Sequence, residues 1–288
     1  MWKNKRILVT GSEGLIGKEL VIQLKELGAN VFRFDIKNGF DITNRHDVLN
    51  VYSKFEPEYI FHLFGIKGTP KMTKERPTDF MVPILIGDTI SIFYAQHCGV
   101  KRFLYTSSIA TNNLNTDKYP AWAKQTAITL IDAMRLQYPN GTKYCMVKPV
   151  NIYGKYDDFD SPNAMVITSL INMSLKGDIK LYNNGQTIRD FVNAKDCARG
   201  MIEVMEKMPE HMINISSGKG VKIKRVAEII SKYTGQKIKN VKSNEPMGNK
   251  TRILPLNWSF RPKIKLDDGI KHIIEYKQNE DKSRISTS

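Results

Sequence analysis

Cysteine is scarce in this 288-residue chain: Cys98, Cys145 and Cys197 are widely separated and form no C-x-x-C pair. That excludes a disulfide framework, agrees with a reducing compartment and reads the three as buried thiols; no metal site is expected. Long apolar runs are missing too, none reaching the ~20 residues that a membrane span needs. The basic residues ahead of Ile7 lead into an apolar run that breaks at Thr10, so a signal peptide is not expected. The chain therefore reads as cytoplasmic, with no membrane partner. Acid is short relative to base, 29 Asp and Glu against 44 Lys and Arg, for a net charge of +15. The lysines are scattered and do not form a stripe with interleaved aromatics, so they read as a solvated surface that steers an anionic substrate, with no nucleic-acid partner. No internal repeat or low-complexity segment is present. The remaining composition, 41% hydrophobic and 25% charged, is that of a soluble globular protein. The length suits one large α/β domain or a domain plus a lobe.

The chain is organised around its first apolar run. Ile7, Leu8 and Val9 precede Thr10-Gly11-Ser12-Glu13-Gly14-Leu15-Ile16-Gly17, a G-x-x-G-x-x-G spacing, and Leu20, Val21, Leu24 and Leu27 then recur at helical intervals until Gly28. A glycine turn between a buried strand and a helix N-terminus presents free N–H groups and partial positive charge, which suits a pyrophosphate. Gly11 allows the tight turn, Gly14 lets backbone approach phosphate, and Gly17 lets the helix pack on the strand. The next strand, Val31-Phe32-Arg33-Phe34-Asp35, ends in an acid roughly 20 residues past the motif, as a ribose-binding carboxylate should.

Further along, Tyr59–Phe64 reads as a buried strand, Phe80–Ala95 as a helix disturbed early by Pro83, and Lys101–Ser108 as a strand that runs into hydroxyls. Those hydroxyls stand where an open parallel sheet places its ligand crevice, although they could equally cap the following loop. A helix from Pro120 to Tyr138 carries Lys124 early, and Tyr144–Val150 is the next strand, leading into Asn151-Ile152-Tyr153-Gly154. The alternation predicts a Rossmann-type doubly wound parallel sheet over residues 1–154. Shorter mixed elements over 155–276 predict a smaller α/β substrate lobe, some of whose elements return to the Rossmann sheet; 277–288 reads as a polar, frayed tail.

These residues resemble the extended short-chain dehydrogenases/reductases, the NAD-dependent epimerase/dehydratase group acting on nucleotide sugars. The likeness covers nearly the whole chain and rests on the glycine turn, Asp35, Asp41-Ile42, His62-Leu63, Thr106-Ser107-Ser108, Lys124, Asn151-Ile152-Tyr153-Gly154, Arg189-Asp190-Phe191 and Trp258-x-x-x-Pro262-Lys263. It implies a bound NAD, with NADP as the alternative, held by Gly11, Glu13, Gly14, Leu15, Ile16, Gly17, Asp35, Asp41, Ile42, Leu63 and Lys124. It implies a nucleotide-diphosphate sugar met by Ser107, Asn151 and Arg189, the arginine on the diphosphate. It also implies a homodimer through the helices 80–96 and 121–138. In that family a Ser or Thr, a Tyr and a Lys form the catalytic group, the Lys lowering the Tyr pKa from its reference ~10 so that the phenol can act as a base.

The chain departs from the family at the decisive place. With Lys124 in register, the expected Tyr-x-x-x-Lys puts Pro120 where the tyrosine belongs, and Tyr119 stands one residue early. If Pro120 opens the helix, Tyr119 lies just outside it and can swing toward Lys124 and Ser108. The alternative leaves Tyr119 on the surface and the site without an ordinary acid/base. Residues 151–160 look most like GDP-fucose synthases, yet the Cys and His which those enzymes use for epimerisation correspond to Ser108 and Met165 here. The Asp-Glu pair of the dehydratases is replaced by Ile109-Ala110. The resemblance thus implies 4-epimerisation of a nucleotide sugar through a transient ketone, with a 4-keto-sugar reductase or a silent dinucleotide-binding protein as rivals, and Ser108, Tyr119 and Lys124 as catalytic candidates.

Overall fold

Strand β1 (Arg6–Thr10) is buried from Ile7 onward and lies between two parallel neighbours, which makes it the axis of the first unit. A computed structural model describes the chain except residues 67, 69, 116, 162–163, 243–249 and 287–288. After β1 come α1 (Leu15–Glu26), β2 (Asn30–Phe34), α2 (Arg45–Phe55), β3 (Tyr59–His62), α3 (Pro70–Glu75), α4 (Pro77–His97), β4 (Arg102–Thr106), α5 (Lys118–Gln137) and β5 (Lys143–Pro149). The strands pair in parallel in the order β2-β1-β3-β4-β5, and Ile213–Ile215 adds a sixth strand beside β5. The chain leaves β1 toward β2 and returns on the other side at β3, so the order reverses there, where α/β sheets open their ligand crevice. Leu8, Ile60, Phe103, Tyr105, Tyr144 and Met146 point from one face of the sheet into a core closed by α2, α4 and α5. This unit comprises Met1–Pro149 and Ala198–Ile215.

The second unit comprises Val150–Cys197 and Ser216–Ser288. From Val150 onward the elements are β6 (Ile152–Tyr153), α6 (Val166–Lys176), β7 (Ile179–Tyr182), β8 (Ile188–Arg189), β9 (Val192–Asn193), α7 (Ala194–Lys207), β10 (Ile213–Ile215, the sixth strand above), β11 (Val221–Lys222), α8 (Ile223–Thr234), β12 (Ile238–Val241), β13 (Thr251–Arg252) and α9 (Leu266–Ser286). Its strands form short sheets, β11-β8-β13, β12-β7 and β6-β9, over an apolar core of Ile167, Ile171, Ile179, Val226, Ile230 and Ile273.

Three local readings change. Helix α4 begins at Pro77 and runs straight through Pro83, which forgoes one backbone hydrogen bond without ending the helix. Among the described residues it is the one helix long and apolar enough to cross a membrane by length and composition, yet seven of its residues, from Phe80 to Ala95, are buried. In place of a frayed tail from 277, α9 continues to Ser286, and along it Lys277 pairs with Glu280 and Asp281 at 2.8 and 3.2 Å. Helix α5 begins at Lys118, with Asp117 in the N-cap position, so Pro120 is the third helical residue. A proline costs nothing there, because first-turn N–H groups have no helical acceptor.

Candidate active site

The glycine turn is built as its spacing requires. Gly11 adopts φ +65° and packs against the Leu63 backbone, which a Cβ would meet at 3.1 Å. A Cβ on Gly17 would overlap the Gly11 carbonyl oxygen, so the first turn of α1 sits directly on the loop. Gly14 caps α1 without any side-chain bond, so the first-turn N–H groups of Leu15 and Ile16 have no helical acceptor and can serve an anion. At the end of β2 the Asp35 carboxylate accepts from the Glu13 amide at 3.0 Å and the Lys37 amide at 3.1 Å. Each oxygen keeps a lone pair for a ribose hydroxyl. Glu13 itself holds Arg33 and, at 3.0 Å, Asn38; burial pushes its carboxyl up, but these partners outweigh it and hold it below the usual range. The turn, its uncapped helix and the acid beside them fit a dinucleotide.

Asp41 and Ile42 are also engaged within the fold. Asp41 accepts from the amide and hydroxyl of Thr43, both at 2.8 Å, while Asn44 caps α2. Ile42 is buried in the core and packs beside Gly87.

At the carboxyl ends of β1, β3 and β4 lies a buried polar cluster that the sequence does not announce. Lys124, from α5, donates to the Phe64 carbonyl at 2.9 Å and meets both oxygens of Asp88 on α4 at 3.2 and 3.3 Å. Asp88 also takes the Tyr105 hydroxyl at 2.5 Å and His62 Nε2 at 2.9 Å. Burial drives the His62 imidazole below its usual range despite Asp88 beside it. Burial pushes the Asp88 carboxyl up, but Lys124, His62 and Tyr105 overcome that and hold it ionised. Burial and the neighbouring carboxylate push the Tyr105 phenol well up, so it stays a donor.

Ser107 and Ser108 follow at the end of β4. The Ser107 amide bonds the Val147 carbonyl at 2.8 Å, and its hydroxyl lies 3.5 Å from that of Thr111. Ser108 caps the short turn Ile109–Asn112, its oxygen accepting from the Ala110 amide at 3.2 Å. Among the described residues, its own proton has no acceptor. The buried Thr106 hydroxyl has no hydrogen-bond partner among the described residues. On β5, Lys148 follows the Val147 that pairs with Thr106; its ammonium bonds Asn112, and burial lowers its pKa.

Tyr119 is not brought to this cluster. As the second residue of α5 it shares the helical twist with Lys124, five residues on and ~140° round the axis. The Lys118 ammonium lies 5.8 Å over its ring, and among the described residues no hydrogen bond joins it to Lys124 or Ser108.

In the second unit, Arg189 on β8 stands in register with Arg252 on β13, a residue that sequence reading passed over. Burial first, and Arg252 second, bring the Arg189 guanidinium down to about 10. Two half-buried guanidiniums on neighbouring strands are groups with which an anion such as a phosphate can pair. Asp190 is committed elsewhere, accepting from the Ser217 amide at 3.0 Å and hydroxyl at 2.5 Å and from the Gly218 amide at 3.1 Å. Asn151 donates to the Asp190 carbonyl at 2.9 Å, which ties β6 to this loop.

A doubly wound sheet with a glycine turn, an acid at the end of β2 and a buried lysine over the strand ends defines a nicotinamide-dinucleotide enzyme. Residues 7–216 match the model of the NAD dependent epimerase/dehydratase family. The chain belongs to that family. GDP-L-fucose synthase 1 of Arabidopsis thaliana is 26% identical over 95% of this chain and 93% of its own length. Among solved structures, the UDP-glucose 4-epimerase of Thermotoga maritima with UDP-glucose superposes with a TM-score of 0.86 at 23% identity, over 96% of this chain and 99% of that one. The GDP-mannoheptose C4 reductase of Campylobacter jejuni with NADP bound gives 0.81 at 20% identity, over 96% and 99%.

Proposed function

We propose that the chain is an NAD-dependent 4-epimerase of a nucleotide-diphosphate sugar. The observation that carries this reading is the Asp35 carboxylate at the end of β2, with Glu13 of the glycine turn beside it. Asp35 sets negative charge where a 2′-phosphate would lie, and Glu13 neutralises the nearby Arg33, which favours NAD over NADP and a redox-neutral reaction over a reductive one. The bound dinucleotide supplies the oxidant for the sugar carbinol and the reductant for the ketone. Leu15 and Ile16 amides would hold its pyrophosphate, Asp35 the adenosine ribose and Lys124 the nicotinamide ribose. Arg189 and Arg252 would take the substrate diphosphate.

Ser108 is the hydroxyl nearest in role to the family's catalytic one, and with Pro120 in the tyrosine place it would pass the carbinol proton to water. The absence of the Cys and His pair at Ser108 and Met165 disfavours epimerisation next to the carbonyl. A 4-keto-sugar reductase is the second reading, favoured by the 26% identity to a GDP-L-fucose synthase. Incubation with UDP-, GDP-, dTDP- and CDP-sugars and catalytic NAD, followed by NMR of the C4 proton, tests the assignment. A 4-epimer formed without net NADH is expected; stoichiometric consumption of NAD(P)H by a keto-sugar would replace the epimerase with the reductase.

A further inference from the structure

Asp88 is an acid that the proposed chemistry leaves unused, yet it is 1% exposed within an apolar helix. A buried carboxylate is costly unless its charge and lone pairs are met, so the partners are informative. Thr10, the residue that opens the glycine turn, accepts the Leu63 amide at 3.1 Å on its hydroxyl oxygen. The ionised Asp88 accepts from His62 Nε2, so in the neutral imidazole Nδ1 is the acceptor and takes the Thr10 hydroxyl proton, 3.0 Å away. Tyr105 completes the carboxylate from β4, and its ring also lies 4.8 Å beneath the Lys124 ammonium. Of the three Lys124 donors, one goes to Phe64 O and one is shared by the Asp88 oxygens, leaving one for a ligand.

We propose that Asp88 is a positioning residue for the dinucleotide: it seats the Lys124 ammonium and, through His62, locks it to Thr10, so that the ribose-binding lysine and the phosphate-binding turn are set as one unit. This rests on the reading that Lys124 binds the cofactor. The groups that face the ammonium are Asp88 from α4, His62 from β3 and Tyr105 from β4; Tyr144 on β5 points its hydroxyl away, to Ile92 O. In wild type the ammonium keeps its counter-charge. In Asp88→Asn it is buried without one and gives up its proton more readily, so NADH binding acquires an alkaline loss.

NADH affinity measured by fluorescence at pH 6.5 and pH 9 reads this directly. The expected Kd ratio between the two pH values is about tenfold larger in Asp88→Asn than in wild type, and returns to the wild-type ratio in Asp88→Asn/Lys124→Arg, because a guanidinium keeps its charge. An unchanged ratio in Asp88→Asn overturns the proposal. Lys124→Met separates the underlying reading: wild-type NADH affinity there would remove the lysine from the cofactor site, whatever Asp88 does. Should Asp88→Asn fail to fold, lysine Nζ NMR of the wild-type chain decides. A Lys124 ammonium signal protected from solvent exchange at pH 8 supports the seat, and exchange as fast as surface lysines overturns it.

Discussion

Pro120 reads as a helix opener, but any first-turn position tolerates proline, so the residue marks the helix start only to within a turn. That latitude decides the place of Tyr119, which lies inside α5 beside Lys118. Tyr119→Phe is therefore expected to keep turnover within about threefold, whereas Ser108→Ala loses ~10²-fold, the low end for general acid-base catalysis; initial rates on the productive nucleotide sugar compare them. A 10²-fold loss in Tyr119→Phe would restore the tyrosine as acid/base. Arg189→Lys removes bidentate pairing with phosphate, and about tenfold weaker nucleotide-sugar binding by calorimetry is expected, ~1.4 kcal/mol. His62 gives a pH signature. Its folded pKa is depressed below the ordinary 6.5, so the unfolded chain takes up a proton that the folded chain refuses. Stability from this group is complete above about pH 6.5 and is lost as pH falls toward the folded value. Thermal unfolding of His62→Gln, whose amide can both accept from Thr10 and donate to Asp88, should lack that part of the acid-side fall; an identical pH dependence in both chains would discount His62.

Single elements were legible where one local rule sufficed. The β1-turn-α1 unit follows from three glycines, a strand and a periodic helix, all within about twenty residues. Asp88 was not legible, because one acid in an apolar helix says nothing of a lysine 36 residues on that turns toward it. Arg252 was missed for the same reason: strand β13 is two residues long and gains meaning only in register with Arg189. The turn itself yields an element-scale expectation. In Gly17→Ala the added methyl meets the Gly11 carbonyl, α1 must move off the loop, and a loss of about 1–3 kcal/mol accompanies weakened NADH binding. Urea unfolding without cofactor and NADH titration measure the two effects. Wild-type values for both would mean that the helix and loop are not held as tightly as described.

At the scale of the whole molecule, α4 leaves Val82, Ile86 and Phe93 exposed along one stripe, and α5 leaves Trp122 and Leu136 exposed. A pair of copies would cover them, and sedimentation is expected to give a dimer at micromolar concentration that Phe93→Glu dissociates; a wild-type monomer would leave these stripes uncovered. The +15 charge belongs to the same scale, as a field that would draw the proposed substrate, an anionic nucleotide-diphosphate sugar, toward the protein. What the molecule does with that substrate is read most directly from isotope. With a nucleotide sugar deuterated at C4 and only trace NAD, retention of deuterium at C4 in both epimers, with no NADH accumulating, is the expected result. Reduced cofactor formed or consumed in proportion to product, a 4-epimer whose C4 deuterium has been exchanged for solvent hydrogen, or no 4-epimer at all, would contradict an NAD-dependent 4-epimerase.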